Sequence, residues 1–188
     1  MDNIMDVIVK KSLWNHAGTA GLLMGLVSTA SMFAGQYMST LGMSGFLTGL
    51  VGLILWALET GGCIWLMWLF MNKFAVACPS ADNSTTFRMG MATAFLSALV
   101  YSAASFANLA FISVDFYTEQ YQTLMQQMAP VMDSNSKDML VKMLDYMPQI
   151  TFFSNLIYCF FFGTIVSAVL SRGIPSRDPF ADYRPDEQ

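Results

Sequence analysis

The sequence has little charge and few of the residues with which enzymes perform acid–base or metal chemistry. Only 12% of its 188 residues are charged, against about a quarter in typical soluble proteins. His16 is the single histidine. No Ser-His-Asp set, phosphate-binding loop, pair of acids or metal-ligand cluster can be read along the sequence. We therefore expect no enzymatic activity, no cofactor and no metal.

Basic residues and cysteines are also scarce, and their placement excludes further classes of protein. Nine Lys and Arg stand against thirteen Asp and Glu, which gives a net charge of −4. Without a basic stripe, a nucleic-acid partner is not expected. The three cysteines, Cys63, Cys78 and Cys159, lack the spacing of a metal knuckle or an exported disulfide. They are interpreted as small apolar residues.

Three long stretches lack charge altogether, apart from His16. They cover residues 12–58, 89–114 and 146–171, and each exceeds the roughly 20 residues that cross a bilayer as a helix. The first can hold two helices, because Gly35–Gly42 predicts a turn. We expect an all-α integral membrane protein with four transmembrane helices, at about residues 13–34, 45–70, 89–113 and 149–170. Thr85 is the expected cap of the third helix.

The basic residues that flank these spans predict the orientation of the chain, because such residues are retained on the cytoplasmic side. One side carries Lys10, Lys11, Lys73, Arg88, Arg172, Arg177 and Arg184, and the other carries Lys137 and Lys142. Segment 1–12 and the tail 171–188 are therefore expected in the cytoplasm, the tail without a fold of its own. Near the inner interface we expect Trp14, Trp65 and Trp68. Because two lysines precede the first apolar stretch, a cleaved signal peptide is an alternative.

One ionisable side chain falls well inside a predicted span. Glu59 lies near the midpoint of the second helix, where a charged carboxylate costs roughly 2.5–3.5 kcal/mol, so it must be protonated, paired or facing a wet cavity. Polar side chains at matching depth on helices three and four are its candidate partners, namely Tyr101, Ser102, Ser105, Asn155 and Tyr158. Two interpretations stay open: a proton- or substrate-binding site, or a neutral carboxyl that hydrogen bonds to those neighbours.

Small residues recur at four-residue spacing on the first two spans. The predicted helix-packing positions are Ala17, Gly21 and Gly25 on the first span, and Gly45 and Gly49 on the second. In lipid, such faces let two backbones approach closely and gain van der Waals contact. Packing inside the bundle is the favoured interpretation, and a seam with a second copy or a partner is the alternative.

The longest polar segment is 114–148, which the count of basic residues places outside the cytoplasm. Apolar residues recur there at three- and four-residue intervals on both sides of Ser134-Asn135-Ser136. This pattern predicts an extracytoplasmic helical hairpin with one apolar face on each arm. The faces can pack together, lie on the membrane or receive a partner. Six methionines here suggest a copper(I) site, but without nearby His or Cys an adaptable contact surface is the better interpretation.

The order of these parts resembles the bacterial membrane family known as domain of unknown function 4199. The resemblance covers about residues 10–172. It rests on Lys11-Ser12-Leu13 before a glycine-rich span, Thr86-Phe87-Arg88-Met89-Gly90 opening the third helix, Phe116-Tyr117 beginning the hairpin, and Pro148 and Arg172 bounding the last span. The loop after helix two departs from the family, since its basic run is reduced to Lys73.

The resemblance implies a bacterial inner-membrane protein with no established activity. It also implies an association with glycosyltransferases that use a polyprenyl-phosphate carrier. We therefore expect a non-catalytic scaffold or accessory subunit of a membrane complex, which contacts a membrane protein partner, a second copy of itself or lipid. The alternative from another class is a small oligomeric proton-coupled transporter that uses Glu59.

Overall fold

The fold consists of helices throughout the part of the chain that is described. A computed structural model describes residues 2–41, 45–78, 82–128, 133, 139 and 142–174, with side chains from residue 9 onward. The helices are α1 (Asp2–Thr40), α2 (Gly45–Ala77), α3 (Asn83–Ala107), a π-helical segment (Asn108–Ile112), α4 (Val114–Met128) and α5 (Met147–Gly173).

Four stretches of helix are long and apolar enough to cross a membrane. They are Val9–Thr40, Gly45–Ala77, Asn83–Ile112 and Met147–Gly173. The shortest has 27 residues and, at about 1.5 Å of rise per residue, exceeds the ~30 Å hydrocarbon core of a bilayer. The predicted all-helical chain with four candidate spans is confirmed, and by length and composition it indicates a multi-pass membrane protein.

The turn predicted at Gly35–Gly42 is shorter than expected. Residues 35–40 remain helical, and the hydroxyls of Ser39 and Thr40 donate to carbonyls three residues earlier, at 2.6 and 2.7 Å. The glycine in this stretch is tolerated inside a long apolar helix. The turn begins at Leu41, whose N–H donates to the Met38 carbonyl at 3.3 Å.

Helix α3 begins at Asn83 because Asp82 caps it. Both the backbone N–H and the hydroxyl of Thr85 donate to Asp82 Oδ1, at 2.8 and 2.6 Å. The prediction that Thr85 is the cap was therefore wrong: Thr85 is the donor, and the acceptor stands three residues earlier. These hydrogen bonds from Thr85 lower the pKa of the Asp82 carboxyl.

The first arm of the predicted hairpin is helix α4, which leaves α3 through the π-helical segment. The second arm lies largely outside the described residues, although 142–145 are helical. The tail beyond Ile174 also falls outside them. The hairpin as a whole and its side of the membrane therefore remain predictions.

Helix α3 lies at the centre of the bundle, with α1 on one side and α5 on the other, and α2 packs mainly on α1. The contact between α1 and α3 depends on Gly21 and Gly25. A Cβ added at Gly21 would lie 2.7 Å from Leu96 Cβ, and one added at Gly25 would lie 2.6 Å from Val100 Cβ. Ala17 on the same face is fully buried. These small residues let the two backbones approach each other.

The buried core gathers at one end of the bundle, which we call the tail end because α5 finishes there. It includes Met24, Met71, Phe74 and Met89 from α1, α2 and α3, together with Ile174, the residue that follows α5. The opposite end, from which α4 emerges, is called the hairpin end. Methionines suit the tail end because their flexible side chains fill the irregular gaps between helices.

Helix α2 joins this core only through its second half. Every described buried residue of α2 lies from Met67 onward. At 3.6 residues per turn, one face of the helix carries Gly45, Gly49, Gly52, Trp56, Glu59, Cys63, Met67 and Phe74. Apart from the neighbouring backbone of α2 itself, no atom of the described residues lies within 4 Å of a Cβ position at Gly45, Gly49 or Gly52. Helix α2 therefore turns the same face toward the bundle along its length, but stands off from it toward the hairpin end.

Replacing Gly21 by alanine tests the close packing of α1 on α3. The added methyl group meets Leu96 Cβ and the Thr93 carbonyl, and overpacking of this kind costs about 1–3 kcal/mol. The control is Gly18→Ala, where nothing lies within 4 Å and helix propensity favours alanine by up to about 1 kcal/mol. Unfolding in mixed detergent micelles should show Gly21→Ala as the less stable variant. Equal stability of the two variants would contradict the packing described here.

Replacing Asp82 tests the cap of α3. We expect Asp82→Ala to weaken the first turn by about 1 kcal/mol and to speed hydrogen exchange at the Thr85 amide. Because the pKa of Asp82 is lowered in the folded chain, the contribution of the cap is complete above the ordinary aspartate pKa and is lost as the pH falls through the lowered value. Asp82→Asn keeps an acceptor oxygen without this pH dependence. Unchanged exchange in Asp82→Ala would show that the cap has no energetic role.

Candidate functional site

Glu59 lies where α2 begins to separate from the bundle. It shares a face with Cys63 and Met67, one and two turns closer to the buried core, and its side chain is half-buried. Ser28 of α1 lies beside Glu59 and lines the same open space. The Ser28 hydroxyl also lies 3.7 Å from Cys63 Sγ. The carboxyl thus lies beside α1 and borders open space shared with α3 and α5.

That open space is a cavity of about 270 Å³ between α2 and the rest of the bundle. All four long helices line it. Its polar side chains include Ser28, Glu59, Ser97, Tyr101, Asn155 and Tyr158. Met24, Met67, Ala94 and Val166 form the apolar wall toward the tail end. The cavity therefore combines one carboxyl with a few neutral polar groups in an otherwise apolar setting, which is the usual composition of a small-molecule site.

The structure brings three of the five predicted partners of Glu59 into this cavity and leaves two behind it. Tyr101, Asn155 and Tyr158 line the cavity. The Ser105 hydroxyl donates to Met32 Sδ at 3.5 Å. Ser102 is fully buried, and its hydroxyl has no hydrogen-bond partner among the described residues. Depth along a helix does not give the face on which a residue lies, so it does not separate these two groups.

The predicted packing residues also divide into two groups. Ala17, Gly21 and Gly25 lie on the face of α1 that packs against α3. Gly45 and Gly49 have no atom near their Cβ positions, so within the described chain they leave the α2 backbone accessible. The small residues of α1 therefore pack inside the bundle. For those of α2, contact with a second copy or a partner remains a prediction.

Several residues of the cavity were not predicted. Ser28, Trp56, Cys63 and Cys159 all line it, although the sequence predicts that both cysteines are ordinary apolar residues. A signal for two of them exists, because Trp56 and Cys63 lie three and four residues from Glu59 and so share its helical face. Ser28 and Cys159 carry no such signal, since only the packing of separate helices brings them to Glu59.

The cavity opens sideways, toward the surface that lipid would cover. Trp56 of α2 and Tyr158 of α5 both line it, yet their side chains are 64% and 68% exposed. Tyr158 stacks on Phe162, with ring centroids 6.3 Å apart and an interplanar angle of 13°. The two exposed aromatic residues therefore flank a mouth between α2 and α5.

The ionisable groups of the cavity are one carboxyl, two thiols and two phenols, and they lie among aromatic surface. Among the described residues that line it, none is basic. Outside it, the chain's one histidine serves a structural contact: His16 Nδ1 donates to the Ser12 carbonyl at 2.9 Å, and its ring meets Phe74 edge-on at 5.8 Å. The arrangement at Glu59 can hold a proton or pair with a cation.

A second polar cluster joins α1, α3 and α4 at the hairpin end. Asn108, the first residue of the π-helical segment, is fully buried. Its amide donates to Gln36 Oε1 at 3.1 Å and to the Tyr117 hydroxyl at 3.3 Å. The Ser113 hydroxyl donates to Asn108 Oδ1 at 2.8 Å. Burial raises the pKa of the Tyr117 phenol, which therefore stays neutral at physiological pH.

The variant Asn108→Ala tests whether this cluster holds α4 in place. Each buried polar group left without its partner costs about 1–3 kcal/mol, so α4 should detach more often. Hydrogen exchange across residues 114–128 should become faster. Asn155→Ala, which alters the Glu59 cavity instead, should leave exchange in α4 unchanged. Equal protection of α4 in both variants would show that other contacts hold it.

Comparison with known proteins identifies a family but no characterised relative. The model of a family described as "Protein of unknown function (DUF4199)" matches residues 19–172. This match confirms the resemblance stated from the sequence. No curated protein and no solved structure matches the chain.

Proposed function

The chain belongs to the DUF4199 family of unknown function, and from the geometry of its Glu59 cavity we propose that it is a small membrane carrier. In this proposal Glu59 alternately holds a proton and a ligand. The observation that carries the proposal is the position of the Glu59 carboxyl on the wall of a cavity among four helices.

The cavity favours a binding role for Glu59 over a purely structural one. A structural carboxyl would be closed in by the hydrogen bonds of its neighbours, because an unsatisfied polar group in a membrane is costly. Here Tyr101, Asn155, Tyr158 and Ser28 share the cavity with Glu59 and leave open space beside its carboxyl. The volume of about 270 Å³ lies just below the ~300–1,000 Å³ typical of ligand pockets.

A carboxyl in this position couples two binding events. In the empty cavity the neutral form is favoured, since a charged carboxylate in the membrane costs roughly 2.5–3.5 kcal/mol. A ligand that stabilises the charged form must displace the proton, and the proton must in turn weaken the ligand. Competition for one group is sufficient for exchange of a proton against a ligand across a membrane.

The family resemblance supports a bacterial inner-membrane location, and the distribution of basic residues supports an orientation with both chain ends in the cytoplasm. Because successive long helices run in opposite directions, the tail end collects the basic residues that flank them. In the described chain these are Lys10, Lys11, Lys73, Arg88 and Arg172. Basic residues at one end of the spans are those retained in the cytoplasm. The same rule puts α4 outside.

A second candidate function is that of an accessory subunit of a membrane complex. It is favoured by an open groove of about 770 Å³ between α4 and the start of α5. Tyr121, Met125, Leu144 and Pro148 are among its lining residues, and such adaptable apolar surface suits contact with another protein. A membrane protein partner or a second copy of the chain could occupy it.

Transport assays in proteoliposomes test the carrier proposal. Vesicles with an acidic interior and a trapped pH-sensitive dye would receive cationic, neutral and anionic amphiphiles in turn. We expect at least one class to discharge the gradient in vesicles that contain the native protein, and Glu59→Gln to reduce the rate to that of empty vesicles. Glu119→Gln, at an exposed acid of α4, should transport normally.

The stability and transport rate of the Glu59→Gln variant distinguish the two proposed functions. Glu59→Gln should keep the native melting temperature, because its amide can occupy the same cavity. If the folded Glu59→Gln variant discharges the gradient as fast as the native protein, the carrier proposal is wrong. If no amphiphile discharges the gradient and the protein purifies from its native membrane in a fixed ratio with one partner, the accessory-subunit function replaces it.

A further inference from the structure

We infer that the Glu59 cavity takes a hydrophobic monocation, an onium group attached to an apolar body, that enters from the bilayer between Trp56 and Tyr158. This inference rests on the proposed function and names its class of ligand. Four features of the site support it: the charge of the cavity, its aromatic walls, its mouth and the open face of α2.

The charge of the cavity selects a ligand with a single positive charge. Glu59 is the one acid among its described lining residues, and no basic residue accompanies it. A buried charge is tolerated when it is paired and is strongly unfavourable when it is not. A monocation neutralises the carboxylate. An anion would face a second negative charge, and a dication would leave one positive charge without a partner.

The walls of the cavity suit a weakly hydrated cation. Trp56, Tyr101, Tyr158 and Phe162 line it from three helices, and the faces of such rings attract cations within about 6 Å of the ring centroid. A quaternary onium group needs no hydrogen-bond acceptors, so the few neutral polar groups of the cavity need not surround it. Carboxylate and aromatic rings together therefore favour an onium ion over a primary amine or a metal ion.

The mouth and the open face of α2 suit an apolar body joined to that charge. A ligand that enters from lipid passes the exposed rings of Trp56 and Tyr158. From the cavity, the face of α2 continues toward the hairpin end through Gly52 and Gly49, where no atom lies within 4 Å of the Cβ positions. The charged group can thus pair with Glu59 while an apolar tail lies along the accessible α2 backbone.

The pairing implies that affinity rises with pH. The titratable groups that face Glu59 are Cys63 on its own helix, Tyr101 on α3, and Tyr158 and Cys159 on α5, while α1 contributes the non-titrating Ser28. Thiols and phenols ordinarily ionise near pH 8.5 and 10, well above a carboxyl. Glu59 is therefore the group in the cavity that exchanges a proton for the cation.

Three probes of nearly the same shape test the inference: phenyltrimethylammonium, its uncharged isostere tert-butylbenzene, and the anion benzenesulfonate. The full chain carries Trp14→Phe, Trp65→Phe and Trp68→Phe, so that emission reports on Trp56 at the mouth. Each probe is titrated into the protein in lipid nanodiscs at pH 8 and at pH 5.5. The same titrations are run on Glu59→Gln and on Thr60→Phe, which fills the cavity from α2. Circular dichroism confirms that each variant is folded.

We expect saturable binding of phenyltrimethylammonium at pH 8, at least ten-fold weaker in Glu59→Gln. In the native background this affinity should fall on going to pH 5.5, whereas Glu59→Gln should show no such change. Binding of tert-butylbenzene should be the same with Glu or Gln at position 59. Thr60→Phe should weaken the binding of both phenyltrimethylammonium and tert-butylbenzene.

Three results overturn the inference. If the cation binds equally well to the Glu and Gln forms, or if benzenesulfonate binds better than the cation, the ligand is not a monocation. In that case, binding of either other probe that is lost in Thr60→Phe keeps the cavity as a binding site, so the carrier proposal survives. If none of the three probes binds, the monocation inference fails and the proteoliposome assay alone decides the carrier proposal.

Discussion

The close approach of α1 and α3 at Gly21 and Gly25 is the interaction on which the rest of this structure depends. In lipid, apolar side chains gain nothing by leaving their surroundings for one another, so helices associate where their backbones can come near enough for dense van der Waals contact. The two glycines provide that contact over one full turn. With α5 on its other side, α3 becomes the fixed centre against which the position of α2 is defined.

The Glu59 cavity is a consequence of where that dense contact stops. Helix α2 packs through Met67, Met71 and Phe74, whose long side chains hold its backbone away from α3. From Met67 toward the hairpin end, the next large apolar side chain on this face of α2 is Trp56, which is exposed at the mouth. The residues between them do not fill the gap between α2 and α3. The carboxyl lies in the interval between these two groups. The position of the carboxyl and the space around it therefore have the same cause, which is the order of large and small side chains along one face of α2.

The sequence predicts the helices well and their mutual positions poorly. Charge-free runs determine the spans because the cost of charge in lipid acts on every helix separately. Glu59 stands out for the same reason, and matching of depth along the spans found Tyr101, Asn155 and Tyr158. The glycines show the limit: Gly21 and Gly45 begin the same four-residue pattern, yet only Gly21 meets another helix. A four-residue pattern of small residues shows that another helix can pack closely on that face. Which helix packs there, if any, depends on the arrangement of the whole bundle.

Helix α2 is packed against the bundle mainly at one end, so a small rotation about that end produces a large displacement at the other. From Phe74 to Gly45 it extends about 43 Å at 1.5 Å per residue. A rotation of about 5° around the methionine cluster therefore displaces Gly45 by about 4 Å, although the methionines themselves scarcely move and can absorb the change by switching rotamers. Only three residues separate Leu41 from Gly45, so the last turns of α1 must move together with the first turn of α2. The width of the mouth between Trp56 and Tyr158 is thereby linked mechanically to the end of the molecule where Gln36 meets Asn108.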